Sequence, residues 1–127
     1  MKNLALFYPQ GHQAHRQPGH PESPQRVEAI KKALIEAGMW KKYPHLDPLP
    51  FSTDDLTHVH EPGYLTRLKN ACIQGKPMDL DTYTTPKSWG LALNAAGGGA
   101  AVAESVWDGQ ARRGLALTRP PGHHATA

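Results

Sequence analysis

The last nine residues of the chain, RPPGHHATA, place two adjacent histidines, His123 and His124, directly after a Pro-Pro-Gly turn. Pro120 and Pro121 restrict φ, and Gly122 adopts backbone conformations that other residues avoid. Such a segment holds the side chains that follow it in a set direction, as a general acid or base requires. One imidazole of the pair can accept a proton while the other donates one or stays charged. The pattern therefore indicates an acid–base site, and the alternative is a histidine pair exposed in an ordinary turn.

A second group of chemically competent side chains lies near the N-terminus and consists of His12, His15, His20 and Glu22. His12 and His15 would face one metal ion on a helix, but five Pro and Gly residues from position 9 to position 21 argue against a helix there. His58-x-His60 would present both rings on one face only in a strand, and its surroundings look helical. We therefore expect His20 and Glu22 to hydrogen-bond the loop into shape. A small histidine-rich metal binder is the alternative.

Composition excludes several classes of protein. The chain has 127 residues, enough for one domain, and its 12 Pro and 12 Gly indicate long ordered loops around a modest core. Its 14 Lys and Arg exceed its 11 Asp and Glu only slightly and form no basic stripe of the kind that binds nucleic acid. No signal-peptide pattern occurs, and no apolar stretch approaches the roughly 20 residues that span a bilayer. Cys72 is the single cysteine, so the chain forms no internal disulfide and we expect a cytoplasmic protein. We also expect that it binds neither nucleic acid nor membrane.

The local patterns predict a strand, several helices and a second strand. Short apolar runs at Asn3–Tyr8 and Gly114–Thr118 predict the strands. Capping residues and apolar spacing predict helical segments, with their caps, over Ser23–Gly38, Ser52–His60, Glu61–Gly75 and Thr85–Gly109. This order is typical of an α/β fold with a parallel sheet, in which ligands bind beyond the carboxyl ends of the strands. The histidine pair lies in that position.

Three packing features are also predicted. The first long helix carries an apolar stripe of Val27, Ile30, Leu34 and Ile35. Cys72 is expected to be a small buried side chain. Each of the glycines at 97–99 would weaken an isolated helix by up to about 1 kcal/mol relative to Ala. We therefore expect these glycines to permit close packing against a neighbouring backbone.

Four segments follow one another along the chain: HPESPQRVEAI, DDLTHVHEPGYLTRL, DLDTYTTPKSWGLALNAAGGGAAVAESV and LALTRPPGHHA. They resemble the zinc-dependent histone deacetylases and their bacterial relatives, the acetylpolyamine amidohydrolases and acetoin-utilisation proteins. The resemblance implies an α/β fold with a partial parallel sheet and flanking helices, as in the N-terminal part of an arginase-deacetylase fold. Residues 1–127 would then form a single partial deacetylase-like domain.

The resemblance also implies roles for individual residues. His124 matches the general base that activates water, and His123 matches its partner in electrostatic stabilisation or proton donation. Arg26 matches an arginine that lines the cavity beneath the active site. Asp81 matches a rim aspartate that binds the substrate backbone in some members, and Gly122 is grouped with these residues of the substrate site and cavity.

The chain departs from the family pattern at the metal. Family members bind zinc through an Asp-x-His pair and a second Asp downstream of Gly-His-His, and no Asp-x-His occurs in this sequence. The resemblance therefore implies zinc in the complete family domain, and we expect no cofactor and no metal ligands in this chain. We expect a truncated deacetylase-like protein that does not hydrolyse acetyl-lysine or acetylpolyamine on its own.

The alternative is a non-enzymatic interaction module built on the same fold. Both predicted strands are continuous apolar runs, which suit strands covered on both faces. A strand edge left without a neighbour is a template for pairing with another chain. We therefore expect a homo-oligomer, either a symmetric dimer or a domain swap.

Overall fold

The computed structural model describes residues 1–127 and contains the strands and helices in the predicted order. Its two strands, β1 and β2, pair in parallel, with Ala5 opposite Gly114 and Phe7 opposite Ala116. The elements are β1 (Ala5–Phe7), a 3-10 helix (His12–Ala14), α1 (Pro24–Glu36), α2 (Thr53–Leu56), α3 (Pro62–Gln74), α4 (Ser88–Trp107) and β2 (Gly114–Ala116). The predicted α/β class, with a small parallel sheet and flanking helices, is confirmed.

The ends of three helices follow their predicted caps. Pro24 is the first residue of α1, and Gly38, with φ at 69°, lies just past its last turn. In α2 the Ser52 N–H donates to the Asp55 carboxylate at 2.7 Å, which closes a capping box. Gly75, with φ at 64°, ends α3. Only a residue without Cβ adopts these left-handed conformations without strain, so each glycine stops its helix.

Helix α4 begins later than predicted, at Ser88. The Thr85 N–H donates to Ser88 Oγ at 2.7 Å, and the Ser88 N–H donates to the Thr85 carbonyl at 2.9 Å. These two bonds close a turn over Thr85–Ser88, so Thr85 caps that turn instead of the helix itself. As a result Ser88 is buried and reaches His15, with 2.6 Å between Ser88 Oγ and His15 Nδ1.

Helix α4 packs against both strands, and the buried residues of β1 form the centre of the core. A Cβ on Gly98 would overlap the ring of Phe7, and one on Gly97 would overlap the carbonyl of Leu49. Gly97 therefore permits close packing against a neighbouring backbone, as predicted, whereas Gly98 makes room for a side chain instead. A Cβ on Gly99 would meet no atom within 4 Å, so the prediction is wrong for the third glycine. Cys72 is buried, as predicted.

The predicted apolar stripe of α1 is only partly covered. Val27 is buried, whereas Ile30 is 44% exposed and Ile35 is 51% exposed. The reason is that α1 does not pack closely against the other helices or strands.

The two strands differ in how their outer edges are covered. On β1, the Leu6 N–H donates to the Pro44 carbonyl at 2.9 Å, and the Leu46 N–H donates to the Leu6 carbonyl at 2.7 Å. Strand β2 pairs with β1 alone, so its other edge has no strand beside it. No helix in the structure combines the length and apolar character needed to cross a membrane.

Candidate active site

A cleft of about 790 Å³ opens beyond the carboxyl ends of the two strands. The segment after β1 supplies His15, His20 and Glu22 to one wall, and the segment after β2 supplies residues 120–126 to another. Further lining comes from side chains of α3, from the start of α4 and from the segment before it, namely Met78, Asp79, Asp81, Thr82, Tyr83 and Thr84. The position agrees with the general rule that ligands of parallel sheets bind at the carboxyl ends of strands.

His123 and His124 line this cleft, and both are exposed. Their ring centroids are 4.4 Å apart and the rings are tilted by 49°. The Ala125 N–H donates to the Gly122 carbonyl at 3.0 Å, and His60 Nδ1 donates to the Thr126 carbonyl at 2.6 Å. The first bond closes a turn within the loop, and the second holds the end of the loop against the turn that follows α2.

An acidic side chain faces His124, but it is Asp79, to which neither the motifs nor the resemblance assigned a role. His124 Nδ1 lies 4.0 Å from Asp79 Oδ2. The N–H of Asp81 donates to Asp79 Oδ1 at 2.8 Å, and this bond lowers the pKa of the Asp79 carboxyl. Asp81 itself is an exposed residue in the same lining. The Asp-x-Asp spacing could have pointed to Asp79, because an Asp side chain in a turn often accepts a hydrogen bond from the backbone N–H two residues later.

Arg26 and Gly122 also line the cleft. The Arg26 side chain is 63% exposed, with its Nη1 3.7 Å from Glu22 Oε1. Gly122 has no atom within 4 Å of where a Cβ would stand. Neither residue is enclosed, so Arg26 lies at the wall of the cleft and not in a buried position beneath it.

The buried arginine of this site is Arg119, the last residue before the Pro-Pro-Gly turn, with 1% of its surface exposed. Nε and Nη2 donate to the two oxygens of Glu22 at 2.7 and 2.9 Å. Nη2 also donates to the His15 carbonyl at 2.7 Å and to the Tyr83 hydroxyl at 3.2 Å. Nη1 donates to the carbonyl of His12 at 2.9 Å and to its Nδ1 at 3.0 Å. All five N–H groups of the guanidinium therefore have acceptors.

Glu22 and Tyr83 complete this buried network. Burial alone would raise the pKa of Glu22, but hydrogen bonds from Arg119 and Tyr83, with the charge of Arg119, lower it. Burial, together with the hydrogen bond that Tyr83 donates to Glu22 at 2.9 Å, raises the pKa of Tyr83 to about 12. The pair is thus a carboxylate with a neutral phenol, and the Tyr83 ring stacks on His15 with centroids 4.4 Å apart.

The N-terminal histidines are separated by their individual partners. Because an arginine cannot accept a hydrogen bond, His12 Nδ1 is the acceptor and its Nε2 donates to Glu28 at 2.8 Å. His20 Nδ1 accepts from the Glu22 N–H at 3.0 Å, as the predicted loop-shaping role requires. Burial, followed by the charge of Arg119, lowers the pKa of His15 to about 4. Each of these three imidazoles is therefore bonded to a different group of the protein.

The residues present do not fit the zinc ion that the family resemblance implies. No group of three or more His, Cys, Asp or Glu side chains lies close enough together to hold a metal ion. His124 Nδ1 and Asp79 Oδ2 are 4.0 Å apart, and two ligands fall short of the three or four that a zinc site uses.

Comparison with known proteins agrees with the resemblance. Residues 20–127 match the histone deacetylase domain. The chain is 31% identical to a probable deacetylase of Methanothermobacter thermautotrophicus over 97% of its length and 36% of that protein. It is 34% identical to the histone deacetylase-like amidohydrolase of Pseudomonas aeruginosa over 84% of its length and 28% of that protein.

A solved structure, that of the HDA15 HD domain, superposes with a TM-score of 0.89 at 27% identity. The match covers 98% of this chain and 37% of the HD domain. The chain thus spans 28 to 37% of the length of these three relatives. Since the domain match extends over most of its residues, the chain belongs to the histone deacetylase family.

Proposed function

We propose that this chain carries the acid–base part of a deacetylase-type amidohydrolase site, one that removes acetyl groups from acetyl-lysine or acetylpolyamine. The observation that supports the proposal is the position of His123 and His124, adjacent and accessible in a cleft at the carboxyl ends of the strands. The Asp79 carboxylate lies beside His124, with 4.0 Å between Asp79 Oδ2 and His124 Nδ1.

The proposed chemistry needs one base and one acid. His124 takes a proton from water as the water oxygen bonds to the acetyl carbon, and the carbonyl oxygen gains negative charge. His123 stabilises that charge or donates a proton to the nitrogen as the carbon–nitrogen bond breaks. The products are acetate and the free amine.

We propose further that the chain acts as one part of a deacetylase domain and does not turn over these substrates alone. The support is that the sequence contains no Asp-x-His pair. The resemblance assigns zinc binding to such a pair. The proposal includes a cytoplasmic location, which the lone buried Cys72 favours because it needs no disulfide partner.

Two measurements test this proposal. The purified chain, with and without added zinc, should release no acetate from an acetyl-lysine peptide or an acetylpolyamine. A chimera in which this chain replaces the matching segment of the Pseudomonas aeruginosa amidohydrolase should hydrolyse the peptide, and the same chimera with His124→Ala should lose at least about 100-fold in rate. A folded chimera that is inactive, or that His124→Ala leaves unchanged, contradicts the assignment.

A second candidate function is a self-associating interaction module. The observation that favours it is the outer edge of β2, which has no strand beside it. An apolar groove with Val106 and Trp107 adjoins this edge, and Trp107 is 90% exposed. The occupant we propose is a second copy of the chain, which would form a symmetric dimer.

A further inference from the structure

Arg119 lies at the junction between β2 and the loop of the paired histidines, yet its partners all belong to other parts of the chain. Its side chain bonds to the segment from His12 to Glu22 and to Tyr83, and to no group of its own loop. The guanidinium therefore connects the start of the histidine loop, on one wall of the cleft, to the residues of the opposite wall.

The contact is both strong and selective. Two parallel bonds to Glu22 form the bidentate geometry that a guanidinium offers and an ammonium does not. The Glu22 side chain is only 12% exposed and that of Arg119 only 2%. Removing either partner would leave a buried charge without compensation, which favours a different position for the segment that carries it.

The covalent path from this anchor to the histidines is short and stiff. Only Pro120, Pro121 and Gly122 separate Arg119 from His123. The two prolines have a restricted φ, so most of the freedom left between Arg119 and the first imidazole lies at Gly122. The position of the histidine pair over the cleft therefore depends on where Arg119 is held.

We propose that Arg119 is the positioning residue of the His123–His124 pair, with Glu22 as its counter-ion. This inference rests on the proposed function, since it assigns a role to the acid–base pair. Its readout does not, because the order of the loop is measurable without turnover.

Arg26 provides a matched control. It is an arginine in the same cleft and its Nη1 lies 3.7 Å from the same Glu22 oxygen, but its side chain is 63% exposed. An exposed ion pair at this distance contributes little. Replacing it with Lys tests whether the loss of any guanidinium near Glu22 is sufficient.

The experiment uses the full ¹⁵N-labelled chain and the variants Arg119→Lys, Glu22→Gln and Arg26→Lys. Backbone order parameters at 122–126 and the ring-proton shifts of His123 and His124 report the loop, and the amides of α4 report the fold. In Arg119→Lys and Glu22→Gln we expect order parameters at 122–126 to fall from about 0.85 to below about 0.6. The ring shifts should move toward those of an unstructured peptide, with α4 unchanged, and Arg26→Lys should behave like the parent chain.

The proposal is overturned if the loop keeps its order in both Arg119→Lys and Glu22→Gln. It is also overturned if Arg26→Lys lowers the order of the loop equally, or if the loop loses order only when α4 does. If both of these variants unfold, Glu22→Asp decides. It keeps the negative charge but shortens the side chain by one methylene group, so the two parallel bonds to Arg119 cannot both form. A loss of order confined to the loop then supports the positioning role, and an unchanged loop overturns it. An inactive, folded chimera with an Arg119-dependent loop would contradict the proposed function alone.

Discussion

At the scale of single residues, His15 makes the stability of the fold depend on pH. Its ring is buried beside Arg119, Glu22 and His20, and burial followed by the charge of Arg119 lowers its pKa from 6.5 to about 4. As the pH falls below 6.5, the unfolded chain binds this proton before the folded chain does. The stability that the neutral ring provides is therefore present above pH 6.5 and is lost between pH 6.5 and 4, by up to about 1.4 kcal/mol per pH unit.

Urea unfolding at pH about 7.5, 6 and 5 measures this loss. The variant His15→Asn carries no proton in this window, so its free energy of unfolding should depend less on pH than that of the parent chain. His58→Asn, at an exposed histidine, serves as the control and should retain the parent slope. Parallel pH profiles for all three chains would contradict the role of His15.

Also at the residue scale, we expect the eight histidines to bind zinc weakly and without defined stoichiometry. The rings of His12, His15 and His20 are each engaged with a different protein group, and a metal ion would have to displace those contacts. Isothermal calorimetry should show no site tighter than about 1 µM. A single site of higher affinity would instead favour the histidine-rich metal binder.

At the scale of the elements, two adjacent glycines of α4 allow a direct test of packing. Gly98→Ala places a methyl group into the ring of Phe7 and should destabilise the fold by about 1–3 kcal/mol. Gly99→Ala meets no atom and gains helix propensity, so it should stabilise by up to about 1 kcal/mol. Thermal or urea unfolding of the two variants measures both effects. Equal effects of the same sign would show that propensity alone governs this part of α4.

The elements also show what the sequence could predict. Helix ends at Gly38 and Gly75 were predictable because a glycine cap acts within one turn of the chain. The position of the histidine loop was predictable for another reason, because ligands of a parallel sheet bind beyond the carboxyl ends of its strands. The Arg119–Glu22 pair was not found, because it joins residues 97 positions apart and nothing local marks it. An arginine at the end of an apolar strand was the one available signal, since a buried arginine requires an acidic partner.

At the scale of the whole molecule, the exposed groove beside β2 determines how copies of the chain would meet. The groove is lined mainly by apolar and small residues, namely Gly99, Val102, Ala103, Val106, Trp107, Gly114 and Ala116. Two copies related by a two-fold axis could pair their β2 edges in antiparallel fashion and cover both grooves at once. In that arrangement Arg112 and Arg113, which precede β2, lie at opposite ends of the interface in the two copies and do not repel each other.

We therefore expect the chain to form a dimer at micromolar concentration, with a mass twice the 13.9 kDa of the monomer in light scattering. Because the contact is largely apolar, added salt should weaken it little. Trp107→Glu places a charge in the groove and should shift the mass to that of the monomer. Val59→Glu provides the matched control, since Val59 is 73% exposed and does not line the groove, and its dimer should persist. A monodisperse monomer of the parent chain would refute the dimer, and a dimer that Trp107→Glu leaves intact would place the interface on a surface other than the β2 edge.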